Sequence, residues 1–203
     1  NSGYIEIVIS FGMIFFGVNF NLYYLILMKQ GRHVLKDEEM HWYAGIITVA
    51  VILITAVLTV TKHPFSESLR LSLFQVASII STTGFSSTDF DLWPSFTKII
   101  LVILMFVGSC AGSTGGGIKV SRIAIMIKQG LRSVKKASNP RRVETVKLNG
   151  RAVDEEIVHS TLSYFSMAML ITALSIIIVS IDGFDLTSST TSVIACFNNE
   201  IGR

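Results

Sequence analysis

Two segments of this sequence combine residue types that could do chemistry. The first is Ser81-Thr82-Thr83-Gly84-Phe85-Ser86-Ser87-Thr88, a small polar run around one glycine. A helix that ends in such a run is how a channel aims backbone carbonyls at a dehydrated cation. The carbonyls replace the ion's hydration shell, and glycine allows the backbone angles that turn them toward the axis. The Thr82 and Thr83 hydroxyls would add ligands, and the negative C-terminal end of the helix would face the ion. The plainer alternative is an extracellular loop preceded by a helical stretch.

The second segment is Gly108-Ser109-Cys110-Ala111-Gly112-Ser113-Thr114-Gly115-Gly116-Gly117, with five glycines in ten residues. Each glycine costs a helix about 1 kcal/mol relative to alanine, so a regular helix cannot run through it. Phosphate binding is a poor fit. A P-loop needs G-x-x-x-x-G-K-[ST], whereas Gly117 is followed by Ile118-Lys119-Val120, with the lysine displaced and the hydroxyl missing. What remains is a close-packing surface for another helix or a flexible intramembrane loop across a permeation path, and one segment can be both. Lys119 just below is either a snorkelling anchor or a charge that controls ion passage.

Enzymatic chemistry finds no footing. His33, His41, His63 and His159 are scattered over loops and span ends, with no nucleophile or ligand at a useful spacing. Cys110 and Cys196 lack metal-ligand spacing and read as buried small hydrophobes. Asp89 and Asp91 follow the first polar loop, and Asp182 and Asp185 precede the second half-helix described below. They either focus potential at a pore mouth or form a solvated face.

The elements that position these loops follow from hydropathy. Half of the 203 residues are apolar, 15% are charged, and the mean hydropathy is +0.59. Uncharged runs of 22, 20, 20 and 22 residues occupy 7–28, 42–61, 99–118 and 160–181. Each can cross a hydrocarbon core of roughly 30 Å, which takes about 20 helical residues. The first run is too long for a signal peptide and no basic segment precedes it, so the chain is predicted to be an integral membrane protein. A net charge of +3 and the absence of a basic stripe argue against a nucleic-acid partner. Three of the seventeen Lys and Arg lie in 29–41 and ten in 119–157, which the positive-inside rule assigns to the cytoplasm.

Asn19 and Asn21 in the first run read as polar packing between helices. The span at 42–61 is expected to return beside the first, with Trp42 and Tyr43 in an interfacial belt. Ser66-Glu67 is expected to start a half-length helix with Leu69, Leu73, Val76, Ala77 and Ile80 on its apolar face. At about 14 residues, or roughly 20 Å, it is too short to cross. It therefore reads as a re-entrant segment, and the span of 96–131 is expected to break at the glycines. Val146-Lys147-Leu148-Asn149-Gly150-Arg151-Ala152-Val153 carries the Asn-Gly signal of a cytoplasmic β-hairpin. After residue 181 the order of span, link, half-helix (187–197) and polar loop recurs, which makes an internal repeat. The predicted fold class is an all-α membrane protein of repeated helix–pore loop–helix units, with half-length pore helices, one broken helix and a small hairpin.

The sequence resembles the Trk/Ktr/HKT superfamily of potassium transporters, nearest the bacterial Trk type. The resemblance rests on Ser81-Thr82-Thr83-Gly84-Phe85, on Leu92-Trp93-Pro94, on the stretch from Met105 through Gly108-Ser109-Cys110-Ala111-Gly112-Ser113-Thr114-Gly115-Gly116-Gly117 to Ile118-Lys119, and on Lys147-Leu148-Asn149-Gly150. It implies four repeats around one pore, with one filter glycine per loop and an intramembrane gate in the broken helix of the third repeat. On that plan 1–41 holds the second helix of repeat two and a cytoplasmic loop, and 42–131 is repeat three. Residues 132–157 form the basic linker with its hairpin, and 158–203 begin repeat four. Thr82, Thr83, Gly84 and Phe85 are then one set of carbonyl ligands for potassium, and Asn199, Glu200, Ile201 and Gly202 a second. The gate is Gly108, Gly112, Ser113, Thr114, Gly115, Gly116 and Gly117, with Lys119. The family usually reads Asn, an aliphatic residue, Gly and Pro at the fourth filter, and here Glu200 and Arg203 depart from that pattern.

The resemblance also implies a homodimer in the bacterial inner membrane, regulated by a cytosolic nucleotide-binding ring, with potassium as substrate and no cofactor. Two of four filter loops cannot encircle an ion, so this stretch is expected to be a fragment that does not conduct alone. Two other functions fit the residues without the resemblance: a membrane scaffold whose half-helices and glycines serve packing, or a sodium-coupled carrier with discontinuous helices.

Overall fold

The computed structural model describes residues 3–61, 64–139, 145–183 and 185–198. The first apolar run does not form one straight span. It divides into α1 (Gly3–Phe16) and α2 (Phe20–Leu27), bent by 90°. Asn19 makes the break. Its side chain caps α2 by accepting the N–H of Asn21 at 2.9 Å, so these asparagines shape a helix end instead of bridging two helices. A short α3 (Gly31–Val34) leads to α4 (Glu38–Thr61), whose 24 residues reach about 36 Å and span a bilayer core.

The half-length helix is α5 (Phe65–Ile80), which follows Pro64 and begins one residue before the expected start. Its burial departs from the expected stripe. Leu69 is exposed, whereas Val76, Ala77 and Ile80 are completely enclosed and the last seven residues are buried on every side. A second stripe runs through Ser68, Ser72, Gln75 and Ser78, all buried. Inside a bilayer apolar contact barely distinguishes protein from lipid, so close packing and polar bonds fix which helices pair. Ser72 supplies such a bond to α4, sharing a hydrogen bond of 2.6 Å with Thr55. α5 packs against both α1 and α4. α1 meets α4 through Tyr43, whose hydroxyl donates to the Ile14 carbonyl at 3.2 Å. Tyr43 is 1% exposed and belongs to the core, not to an interfacial belt.

After a 3-10 turn (Phe90–Leu92), α6 (Ser95–Phe106) and α7 (Val120–Ser138) are the two halves of the broken span. The Asn-Gly hairpin is present as β1 (Lys147–Leu148) and β2 (Arg151–Ala152), antiparallel, with Asn149 and Gly150 at φ +53° and +75°. A second crossing-length helix, α8 (Glu155–Ser180), is followed by the half-length α9 (Leu186–Phe197), which packs on α8 and α6. α4 with α5 and α8 with α9 repeat one unit of long helix, short link and half-helix. Ile125, Val146 and Val158 form a small cluster that seats the hairpin on α7 and α8. Cys110 is enclosed as expected, but Cys196 is exposed because α9 presents that side to no other described element.

Candidate functional site: the polar loop and the glycine loop beneath it

α5 ends at Ile80 with Ser81 as its C-cap, and the chain then turns sharply. Thr82 takes φ +55° and Gly84 φ +74°. The left-handed region is open to glycine and costly for a β-branched residue, so Gly84 is suited to its place and Thr82 is strained. Ser78, which no motif singled out, organises the loop. Its carbonyl accepts the Thr83 N–H at 2.9 Å and the Gly84 N–H at 3.5 Å, while its hydroxyl donates to the Phe85 carbonyl at 2.6 Å. Among the described residues, nothing donates to the carbonyls of Thr82, Thr83 or Gly84. The threonine hydroxyls, expected as further ligands, are engaged within the protein. Thr83 shares a bond of 2.7 Å with Ser81, and Thr82 Oγ1 accepts the Gly116 N–H at 2.8 Å.

That last bond joins the two segments. The stretch 108–117 interrupts the helix as an irregular loop, entered and left through a parallel bridge between Val107 and Ile118. The Gly108 N–H donates to the Ile118 carbonyl at 2.9 Å, and a Cβ at Gly108 would strike the Gly116 carbonyl. Ser109 Oγ donates to the Ile80 carbonyl at 2.9 Å, which gives one orphan acceptor at the end of α5 a partner. The glycine loop is therefore bonded to both the helix end and the polar loop that follows it.

Irregular backbone at membrane depth must find partners. The bend between α1 and α2 supplies two, since Cys110 N–H donates to the Gly17 carbonyl at 3.0 Å and Phe20 N–H to the Gly112 carbonyl at 3.2 Å. Thr114 Oγ1 donates to the Phe16 carbonyl at 3.3 Å, and Ser113 Oγ to the Cys110 carbonyl at 2.6 Å. Lys119 does not snorkel away from the loop; its Nζ folds back onto the Gly115 carbonyl. Gly108 and Gly115 are buried, Gly116 and Gly117 half-buried, and Gly112 exposed.

Two side chains at the site escaped sequence reasoning besides Ser78. Glu39, 6% exposed in the first turn of α4, accepts the Ala111 N–H at 2.7 Å and the Ser121 N–H at 3.1 Å through one carboxylate oxygen. An acid embedded in the charged segment before a span gives no local sign of such a role. Asn198, completely enclosed at the end of α9, has an Oδ1 with no partner among the described residues, and a Cβ on Gly117 would approach it to 2.6 Å. The second loop, with Asn199, Glu200, Ile201 and Gly202, lies outside the described residues. Asp89 and Asp185 cap the helical turns they precede, and Asp91 and Asp182 are exposed. No group of three or more potential metal-ligating side chains occurs among the described residues.

Membrane-spanning helices, repeated half-length helices and an intramembrane loop bonded beneath one of them define a multi-pass membrane transport protein. The chain belongs to the TrkH family of cation transport proteins, whose family model matches residues 1–202. It is 34% identical over 200 residues to the Trk system potassium uptake protein TrkH of Salmonella typhimurium, covering 96% of this chain and 41% of that protein. Against the Trk system potassium uptake protein TrkG of Escherichia coli the identity is 29% over 202 residues. The crystal structure of the potassium transporter TrkH from Vibrio parahaemolyticus superimposes with a TM-score of 0.91 at 30% identity, over all of this chain and 45% of that one. The chain thus spans about two-fifths of the length of these relatives. The family is one of transporters, not enzymes.

Proposed function

We propose that this chain supplies part of the pore of a potassium uptake protein of the bacterial inner membrane. In this reading Thr82, Thr83, Gly84 and Phe85 form one filter loop that dehydrates the ion with backbone carbonyls, and Asn199, Glu200, Ile201 and Gly202 form another. The loop at 108–117 is the gate, and Lys119 holds its lower edge. Residues 42–131 make a complete unit of helix, filter and broken helix, flanked by parts of two more in a four-unit pore. The whole protein works as a dimer under a cytosolic nucleotide-binding partner, which the basic segment 119–157 attracts.

The observation that carries this reading is the bond between the loops. Gly116 N–H to Thr82 Oγ1 at 2.8 Å and Ser109 Oγ to Ile80 O at 2.9 Å put the glycine loop directly against the carbonyl-bearing turn. A segment that only packs helices together has no need to reach that turn. The carbonyls of Thr82, Thr83 and Gly84, which accept no hydrogen bond from any described residue, are the kind of group a dehydrated cation requires. Support also comes from the relatives, which are named as potassium uptake proteins.

The test is rubidium uptake into liposomes holding the whole protein with its regulatory partner, with potassium or sodium as competitor. Potassium should block uptake and sodium should not. Gly84→Ser, which places a side chain at φ +74°, should lower uptake or weaken discrimination in protein that still elutes as folded. A folded wild type with no uptake would refute the reading.

A further inference from the structure

Glu39 touches the glycine loop from below in an unusual way. One oxygen of its buried carboxylate holds Ala111 N–H on the entering side of the loop and Ser121 N–H on the leaving side, at 2.7 and 3.1 Å. Bonds from a backbone N–H to a carboxylate are about twice as strong as neutral ones. Both N–H groups are partly buried and lose this partner if the loop moves away while Glu39 stays behind, which costs free energy.

The residue before it is fixed to a cytoplasmic element. Glu38 N–H donates to Asn149 Oδ1 at 2.6 Å, and Glu38 Oε2 accepts the Asn149 N–H at 3.0 Å. Asn149 Nδ2 donates to Asp37 Oδ2 at 3.0 Å. Lys128 pairs with Glu38 and donates to the Lys147 carbonyl at 2.7 Å, which secures the strand leading to the turn. Asn149 at the tip of the hairpin is therefore bonded through both its backbone and its side chain to Asp37 and Glu38, where α4 begins. One peptide unit separates its attachment from the carboxylate that holds the loop.

We propose that Glu39 is the positioning residue that latches the glycine loop beneath the filter turn, and that the hairpin, through Asn149, is the handle that shifts the latch. The inference rests on the reading of 108–117 as a gate. A force on the exposed hairpin moves the first turn of α4, and Glu39 carries the loop with it. Loss of the carboxylate frees the loop.

The test compares wild type, Glu39→Gln, Asn149→Ala and the double variant, each as the whole protein. Rubidium flux per folded protein in Glu39→Gln should rise roughly three- to tenfold, the order expected when two charge-assisted bonds become neutral ones. Half-saturation by rubidium and competition by potassium should change less than flux, because Glu39 bonds to Ala111 and Ser121 and to none of the residues of the polar turn. Asn149→Ala should raise flux less, and in the Glu39→Gln background it should add nothing, since both act through one contact. Amide exchange over 110–121 should speed up in Glu39→Gln, a readout that needs no transport. Unchanged or lowered flux in folded Glu39→Gln, or unchanged exchange at 110–121, overturns the latch. Additive effects overturn the handle. If wild type itself carries no rubidium, the gate reading fails, and the exchange data still decide whether Glu39 holds the loop.

Discussion

At Thr82 a β-branched residue is held at φ +55°, which costs an L side chain about 1–2 kcal/mol, and its hydroxyl takes the Gly116 N–H in compensation. Thr82→Val keeps the shape and removes the acceptor. It should destabilise the folded protein by about 1–3 kcal/mol and speed amide exchange at Gly116, while Thr82→Ser restores most of both. Thermal unfolding with site-resolved exchange checks this, and unchanged exchange in the valine variant would mean that the bond between the loops is unimportant. The residue types of the polar run and its glycine are legible in the sequence, and the structure adds the turn they make, with Thr82 and Gly84 at positive φ. The sequence could not tell that both threonine hydroxyls turn into the protein, because their partners are Ser81 and a glycine 34 positions away. Glu39 was illegible for the same reason, since its partners lie 72 and 82 positions away, whereas Ser78 acts locally on Thr83, Gly84 and Phe85 and belongs to no motif that points to that role.

At the scale of elements, periodicity and length identified α4, α8, the half-helices and the interruption at the glycines, and Asn149-Gly150 identified the hairpin. Hydropathy missed the 90° bend after Phe16, because a run that stays apolar through Asn19 gives a window average no reason to divide. The bend becomes intelligible only with the glycine loop in place, where Gly17 and Phe20 exchange backbone bonds with Cys110 and Gly112. Gly108→Ala tests how tightly that loop is folded. The added methyl meets the Gly116 carbonyl, a backbone atom that cannot swing aside, and the strain should cost about 1–3 kcal/mol in thermal unfolding. Gly130→Ala, whose Cβ would meet nothing within 4 Å, is the control and should be neutral or slightly stabilising.

For the whole molecule, the charge asymmetry and the contacts agree. The segments 29–41 and 119–157 carry thirteen of the seventeen basic residues, and they meet each other at Asn149, Glu38 and Lys128. The positive-inside rule assigns that shared end to the cytoplasm. A cysteine introduced at exposed Lys135 should react with an impermeant maleimide only in inverted vesicles, and one at exposed Asp89 only in intact cells. The reverse pattern would invert the topology and place the turn after α5 on the cytoplasmic side of the glycine loop. The central claim is that the turn after α5 holds the transported ion. Diffraction from crystals of the whole protein soaked in rubidium tests it most directly. Anomalous density should lie against the carbonyls of Thr82, Thr83 and Gly84, above the glycine loop. Rubidium density confined to other places, in a protein with this turn ordered and shown to transport, would contradict the account.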